Sequence, residues 1–218
     1  MAGGTYKHNG VEVQYIQHAT VKIKGNGIVI YIDPWAEVLR GDEEKADIIV
    51  STHDHFDHYD VNGINMLTKD DTIIIVPAGV STKKLKGKEI KEVNVGDSLE
   101  IKGAKFEFVP AYNIGKPFHK RGFVRAVVVT ISGVGIYHAS DTDAIPEMKE
   151  LKGKVDIALL PIGGTYTMDI PGAVEAVKMI EPKVAIPIHY NYIPKTEANP
   201  EEFKKRVESE TSTKVVIL

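Results

Sequence analysis

The segment Thr52-His53-Asp54-His55-Phe56-Asp57-His58 packs three imidazoles and two carboxylates into six positions. Those are the donors that zinc-like divalent cations take up. On an extended chain His53 and His55 project to the same side, so they can share one ion. Asp57 and His58 come from the turn beyond and can face a second. Asp54 lies between the paired histidines and points away from them, which leaves it at most a hydrogen-bonding role. A polar loop with one accidental histidine is common. This spacing directly after the apolar run Ile48-Ile49-Val50 is not, because it sets the donors at the end of a buried strand.

Two further strand ends carry suitable donors. Asp141 follows the apolar run Val134–His138 within Tyr137-His138-Ala139-Ser140-Asp141. A carboxylate has two oxygens and can bridge two cations. His189 follows Val184–Pro187. Taken singly, Asp141 reads equally well as a turn cap and His189 as a buried structural histidine; with the first cluster they complete a ligand set. His18 stands where an N-terminal strand ends and is either structural or part of the active site. His138 alternates away from Asp141 and is expected to pack behind the site. His8 reads as a surface residue.

The elements that must hold these residues are mostly short strands rich in Val and Ile. They are expected at Val11–Ile16, Thr20–Lys24, Ile28–Ile32, Asp47–Ser51, Thr72–Val76, Glu89–Val93, Ser98–Ile101, Lys105–Val109, Arg125–Ile131, Val134–His138, Val155–Leu160, Val184–Pro187 and Lys214–Ile217. Gly25-Asn26-Gly27 and Ser132-Gly133 mark tight hairpins. Helices are expected at Val61–Leu67, Pro171–Ile180 and Pro200–Ser209. Asp169 caps the second, Pro171 suits its first turn, and Ala173, Val174, Val177 and Ile180 recur at helical spacing. The result is two sheets with helices on their outer faces, in a single domain over residues 1–218. Pro110–Phe123 is the one long segment without a strand pattern, and long loops in compact domains are often functional.

Composition narrows the chemistry. The 218 residues hold no cysteine, which excludes disulfides, thiolate ligands and thiol catalysis. A net charge of −3 with Lys and Glu scattered along the chain gives no basic patch for nucleic acid. The lysine-rich stretch Lys83–Lys88 reads as a solvated turn. Met1 to Gly10 lacks the apolar core of a secretory signal, and no apolar run reaches the roughly 18 residues of a membrane span. A cytoplasmic protein is expected, without a membrane or nucleic-acid partner; a homo-oligomer is compatible with these features.

His53-x-His55-x-Asp57-His58, Asp141 and His189 together resemble the metallo-β-lactamase superfamily. Gln17-His18-Ala19-Thr20, Ile30-x-Ile32-Asp33-Pro34, Val109-Pro110-Ala111-Tyr112, Ile136-Tyr137-His138-Ala139-Ser140-Asp141-Thr142 and Pro161-Ile162-Gly163-Gly164-Thr165-Tyr166-Thr167-Met168 resemble its lactonase-like branch, which includes ascorbate-6-phosphate lactonase. The likeness runs from about Val11 to Asn191. It implies an α/β fold, a four-layer αββα sandwich with metals at one sheet edge. It also implies two divalent ions, zinc first and manganese or iron as alternatives. His53 and His55 would serve the first ion, Asp57, His58 and His189 the second, and Asp141 would bridge. His18 would act in or behind the catalytic site, with Asp57 as metal ligand and orienter of the nucleophile.

One position departs from that pattern. Relatives place a third histidine of the first site after Pro-Ala-Phe/Tyr, where this chain reads Pro110-Ala111-Tyr112-Asn113. Asn113 is a weak donor for such ions. His119, six residues on, can replace it, bind substrate or simply face solvent; failing replacement, the first site is weakened. Lys116, Lys120, Arg121 and Tyr190 are candidate substrate contacts, the basic ones suited to an anionic small molecule.

The expected reaction is hydrolysis of an ester, lactone or phosphoester by water activated between two cations. Three other readings remain: an iron-dependent redox enzyme, an RNA-processing nuclease, and a degenerate metal-binding protein without activity.

Overall fold

The computed structural model describes residues 4–218. Every expected strand has a counterpart, and one more appears. β1 (Thr5–His8) pairs with β2 (Val11–Gln17) at the edge of the first sheet. β3 (Thr20–Gly25) and β4 (Ile28–Ile32) continue antiparallel, and β5 (Ile48–Val50), β6 (Ile73–Pro77) and β7 (Glu89–Val93) add on in parallel. The second sheet repeats this plan. β8 (Ser98–Ile101), β9 (Ala104–Ala111), β10 (Val124–Ile131) and β11 (Val134–His138) are antiparallel, and β12 (Ile157–Pro161), β13 (Val184–Ile188) and β14 (Lys214–Val215) follow in parallel. Both sheets have seven strands in sequential order. The likeness of the two halves is one of connectivity, which a search for repeated residues misses.

Side-chain alternation builds the layers. Ile30 and Ile32 of β4 face the second sheet, where Val127, Val129, Ile136 and Leu159 meet them. Val29 and Tyr31 of the same strand face outward, beside Ile64 and Leu67 of α1 (Val61–Leu67). The outer face of the second sheet is covered by α2 (Ile170–Ile180), α3 (Pro200–Glu210) and a 3-10 segment at Pro146–Leu151. Strands buried on both faces read as continuous apolar runs, which is why Ile48-Ile49-Val50 shows no polar alternation. The architecture is thus the expected αββα sandwich. No helix of the described residues is long and apolar enough to cross a membrane.

Asp60 caps α1 through Asn62 N (2.9 Å) and also accepts from Ala36 N (2.8 Å). The helix is thereby seated on the Pro34–Ala36 turn that follows β4. Gly63 permits the contact: a Cβ there would strike the Pro34 carbonyl oxygen and approach Ala36 N to 2.8 Å. Alanine improves helix propensity by about 0.8–1 kcal/mol, but backbone atoms cannot swing aside, and overpacking costs about 1–3 kcal/mol. Gly63→Ala should therefore lower Tm, by up to roughly 8 °C at this chain length. A thermal melt in which Tm rises would show that the turn is free to retreat.

Candidate metal centre

The chemistry-bearing residues leave strand ends along one edge of the sandwich. His18 follows β2, Asp33 follows β4, the His53–His58 segment follows β5, Asp141 follows β11 and His189 follows β13. His18, Asp33, Ser140 and His189 all adopt left-handed backbone, with φ between 50 and 58°. That region is uncommon for residues other than glycine, and strained backbone collects at functional sites. Here it turns each chain abruptly so that its side chain re-enters the cluster.

Two ligand groups result. In the first, His53 Nε2 lies 3.1 Å from His55 Nδ1, which lies 3.2 Å from His119 Nε2. A tetrahedral zinc ion with bonds of about 2.0–2.1 Å sets its ligands roughly 3.3 Å apart, so this spacing suits one cation. Asp141 Oδ2 approaches the same group, 3.2 Å from His119 Nε2. Its other oxygen, Oδ1, lies 3.3 Å from His58 Nε2 and 3.2 Å from His189 Nε2. Asp57 Oδ2 completes that second group, 3.5 Å from His58 Nε2 and 4.0 Å from His189 Nε2. His58 Nε2, His189 Nε2 and Asp141 Oδ1 are buried and have no hydrogen-bond partner. Unsatisfied buried atoms are costly, and three of them converging is what a cation site requires. The residues present fit divalent metal ions.

The nitrogens aim correctly because their far sides are held. Asp33 Oδ2 accepts from His58 Nδ1 at 2.7 Å and from Thr52 Oγ1 at 2.8 Å, while Asp33 Oδ1 accepts from Thr52 N. Thr52 Oγ1 in turn sits 3.1 Å from His53 Nδ1. One buried carboxylate thus orients a ligand of each group, directly at His58 and through Thr52 at His53. Such outer partners set tautomer and ring orientation. Asp33 stood in a quoted motif without a role; a carboxylate at the end of a buried strand was its only signal. His138 packs behind the centre, its Nε2 donating to the Ala19 carbonyl at 2.9 Å.

Electrostatics follow from burial among opposed charges. Burial opposes charging of His58, but the carboxylates of Asp141, Asp57 and Asp33 outweigh it and hold the imidazole well above its ordinary value. His53 is driven well below the ordinary value by burial and by His58. Asp141 and Asp57 stay well below the usual carboxylate range despite burial, Asp141 through His189 and His58, Asp57 through His58 and His18. Buried anions at this density need cationic compensation.

The other candidate residues take up contacts of their own. Asn113 does not join the ligand groups. Its Oδ1 accepts from His119 Nδ1 at 3.0 Å and from His119 N at 3.1 Å, and its own N–H donates to the His119 carbonyl. The amide closes the loop and returns His119 to the site. His18 is fully buried, and its Nε2 donates to Asp57 Oδ2 at 2.9 Å. Burial pushes its pKa down to about 4, so it is neutral near pH 7. It contacts Asp57 and does not line the cavity. Lys116 spends its ammonium on Asp143 (2.7 Å) and the carbonyls of Gly164 (3.0 Å) and Thr167 (2.6 Å). Arg121 pairs with Glu147 and lies over the Tyr112 ring, Lys120 is exposed, and Tyr190 stacks on Tyr15. None of these four lines the cavity above the centre. That cavity, about 410 Å³, is lined by His55, Asp57, His119, Asp141 and His189 at its floor and by Phe56, Phe118, Tyr166, Ile193 and Pro194 at its walls. No spacing rule in the sequence links these wall side chains, which come from four separate loops.

Comparison with known proteins agrees with this geometry. Residues 12–189 match the β-lactamase superfamily domain. A UPF0173 metal-dependent hydrolase of Staphylothermus marinus is 41% identical, covering 94% of this chain and 95% of its own length. The crystal structure of a metal-dependent hydrolase described as putative, from Parabacteroides distasonis, is 34% identical over 99% of this chain and 97% of that one, with a TM-score of 0.85. Igni18, a metallo hydrolase of Ignicoccus hospitalis, is 31% identical over 95% and 94%, with a TM-score of 0.81. With two ligand groups built on the strand ends of an αββα sandwich and relatives matching almost end to end, the chain belongs to the β-lactamase superfamily, among its UPF0173 metal-dependent hydrolases.

Proposed function

We propose that this metal-dependent hydrolase holds two divalent cations and cleaves an ester, lactone or phosphoester of a small molecule. The observation that carries the reading is Asp141, whose two oxygens face separate imidazole sets. His53, His55 and His119 would hold the first ion with Asp141 Oδ2. Asp57, His58 and His189 would hold the second with Asp141 Oδ1. All-imidazole and carboxylate donors without thiolate suit zinc, with manganese and iron as competitors.

Bound there, the pair of cations supplies Lewis acidity that makes water nucleophilic near neutral pH and polarises the scissile group. The chain's own residues do the rest. His18 keeps the Asp57 carboxylate turned inward. Asp57, at the cavity floor, orients incoming water. The apolar walls lower the polarity around a bound substrate, which strengthens charge interactions there. A site degenerate at position 113 is the less favoured reading, because Asn113 Oδ1 faces His119 Nδ1 and supports it.

Elemental analysis of protein purified without chelator should find two ions per chain. His119→Ala should lose one and keep the other, whereas His189→Ala should deplete the second site. A wild type with one ion or none would end the dinuclear reading, and unchanged content in His189→Ala would remove that residue from the ligand set. Asp33→Asn should weaken metal affinity at both sites, by about 10–100-fold as expected for an outer-sphere partner. If competition with a chromogenic chelator shows only one site affected, the Thr52 relay to His53 carries no orientation.

A further inference from the structure

The cavity over the centre has a floor of metal-binding donors and walls of another kind. Phe56, Phe118, Tyr166, Ile193 and Pro194 form them. Phe118 and Tyr166 meet edge to face, their centroids 5.0 Å apart. Phe56 packs against Trp35 at 5.7 Å, and Trp35 in turn against Tyr192 at 5.4 Å. Among the described residues, the large apolar side chains most open to solvent are Phe56 (68%), Ile114 (57%), Phe118 (40%) and Tyr192 (36%). Phe56 and Phe118 line the cavity, Tyr192 packs on Trp35 behind Phe56, and Ile114 lies in the loop that delivers His119. An apolar surface concentrated at one mouth marks a binding site.

The cations that an anionic substrate would need are engaged elsewhere or absent from the walls. Lys116 has three oxygen partners, one for each of its ammonium hydrogens, and Arg121 is held by Glu147 on the outside of the loop. Among the described residues, no Lys or Arg lines the cavity. A phosphoryl group usually meets such donors, often bidentate arginine. Here everything beyond the centre is aromatic or aliphatic.

We propose that the substrate is an uncharged carboxylic ester or lactone bearing an apolar acyl or aryl group, which Phe56, Phe118, Tyr166, Ile193 and Pro194 receive while its carbonyl meets the metal centre. This rests on the hydrolase reading above. Water adds to the carbonyl carbon and the carbon–oxygen bond to the alcohol breaks. One water proton goes to the departing oxygen and the other to solvent, giving a carboxylate and an alcohol.

The test uses zinc-loaded protein and two series. Straight-chain hydroxamates from acetyl to octanoyl chelate the metal without being hydrolysed, and their affinities are read by calorimetry. p-Nitrophenyl esters of the same chain lengths, with p-nitrophenyl phosphate alongside, report turnover as kcat/KM. Hydroxamate affinity should rise about two- to fourfold per methylene until the cavity is filled. Phe118→Ala should cost the longest hydroxamate about tenfold and the shortest much less, with metal content unchanged. Arg121→Ala should leave the slope intact. A flat hydroxamate series overturns the proposal, as does p-nitrophenyl phosphate being cleaved faster than the best ester. A change of molecular mass by light scattering in Phe118→Ala, with a flat series, would assign the patch to contact between copies of the chain instead. The two readings separate cleanly. A chain-length slope in binding with neither the esters nor the phosphate cleaved defeats the hydrolase reading and leaves the apolar pocket. Ester cleavage indifferent to chain length does the reverse.

Discussion

The buried carboxylate of Asp33 is the constraint on which the centre depends. It has no solvent exposure, stands in left-handed backbone at the end of β4, and satisfies Thr52 N, Thr52 Oγ1 and His58 Nδ1 at once. A carboxylate placed so deep is costly unless each oxygen is hydrogen-bonded. That requirement works in both directions. The His53–His58 segment must turn where it does to supply the donors, and once it has turned, His53 and His58 present Nε2 to the cavity side. Ser140, from the opposite sheet, closes the arrangement 2.6 Å from Thr52 Oγ1. The seam between the two halves of the sandwich thus runs through the groups that orient the ligands.

The duplicated sheet plan explains why the centre lies at one edge. Each half runs four antiparallel strands and then three parallel ones, so each delivers its chain several times to the same end of the sandwich. The first half contributes His18, Asp33 and the His53–His58 segment, and the second contributes His119, Asp141 and His189. Neither half holds a complete ligand set. The apolar layer between the sheets, Ile30, Ile32 and Val50 against Val127, Val129 and Leu159 among others, is what keeps the two sets in register. Burying side chains of this type contributes about 1.5–3 kcal/mol each, and interiors packed at crystal density transmit small displacements rather than absorb them. Gly163 illustrates the tolerance: a Cβ there would run into the His189 carbonyl oxygen.

The loop between β9 and β10 adapts the common scaffold. Asn113 uses both ends of its amide, with Oδ1 to His119 and Nδ2 to the Tyr166 carbonyl at 3.0 Å. Lys116 ties the same loop to Asp143 and to the segment after β12. A basic loop that reads as an anion-binding surface is therefore spent on internal support. What it exposes toward the cavity instead is Phe118.

The sequence by itself determined the layers, the positions of the strands and the residues with ligand chemistry. Those follow from local rules: two-residue alternation, apolar runs for doubly covered strands, caps and turn residues, and donors crowded at a strand end. It also marked position 113 as unusual. Tertiary structure decided everything that depends on which groups meet across the chain. Asp33 could not be assigned from its neighbours, because its partners are Thr52 and His58, 19 and 25 residues away. The roles of Asn113 and His119 were undecided in the sequence because a loop's closure depends on what its side chains find when it folds back. Lys116 and Arg121 carry charge suited to an anion, yet they pair with Asp143 and Glu147. Charge is a property of a residue, whereas availability depends on its partners, and only the packed chain supplies those.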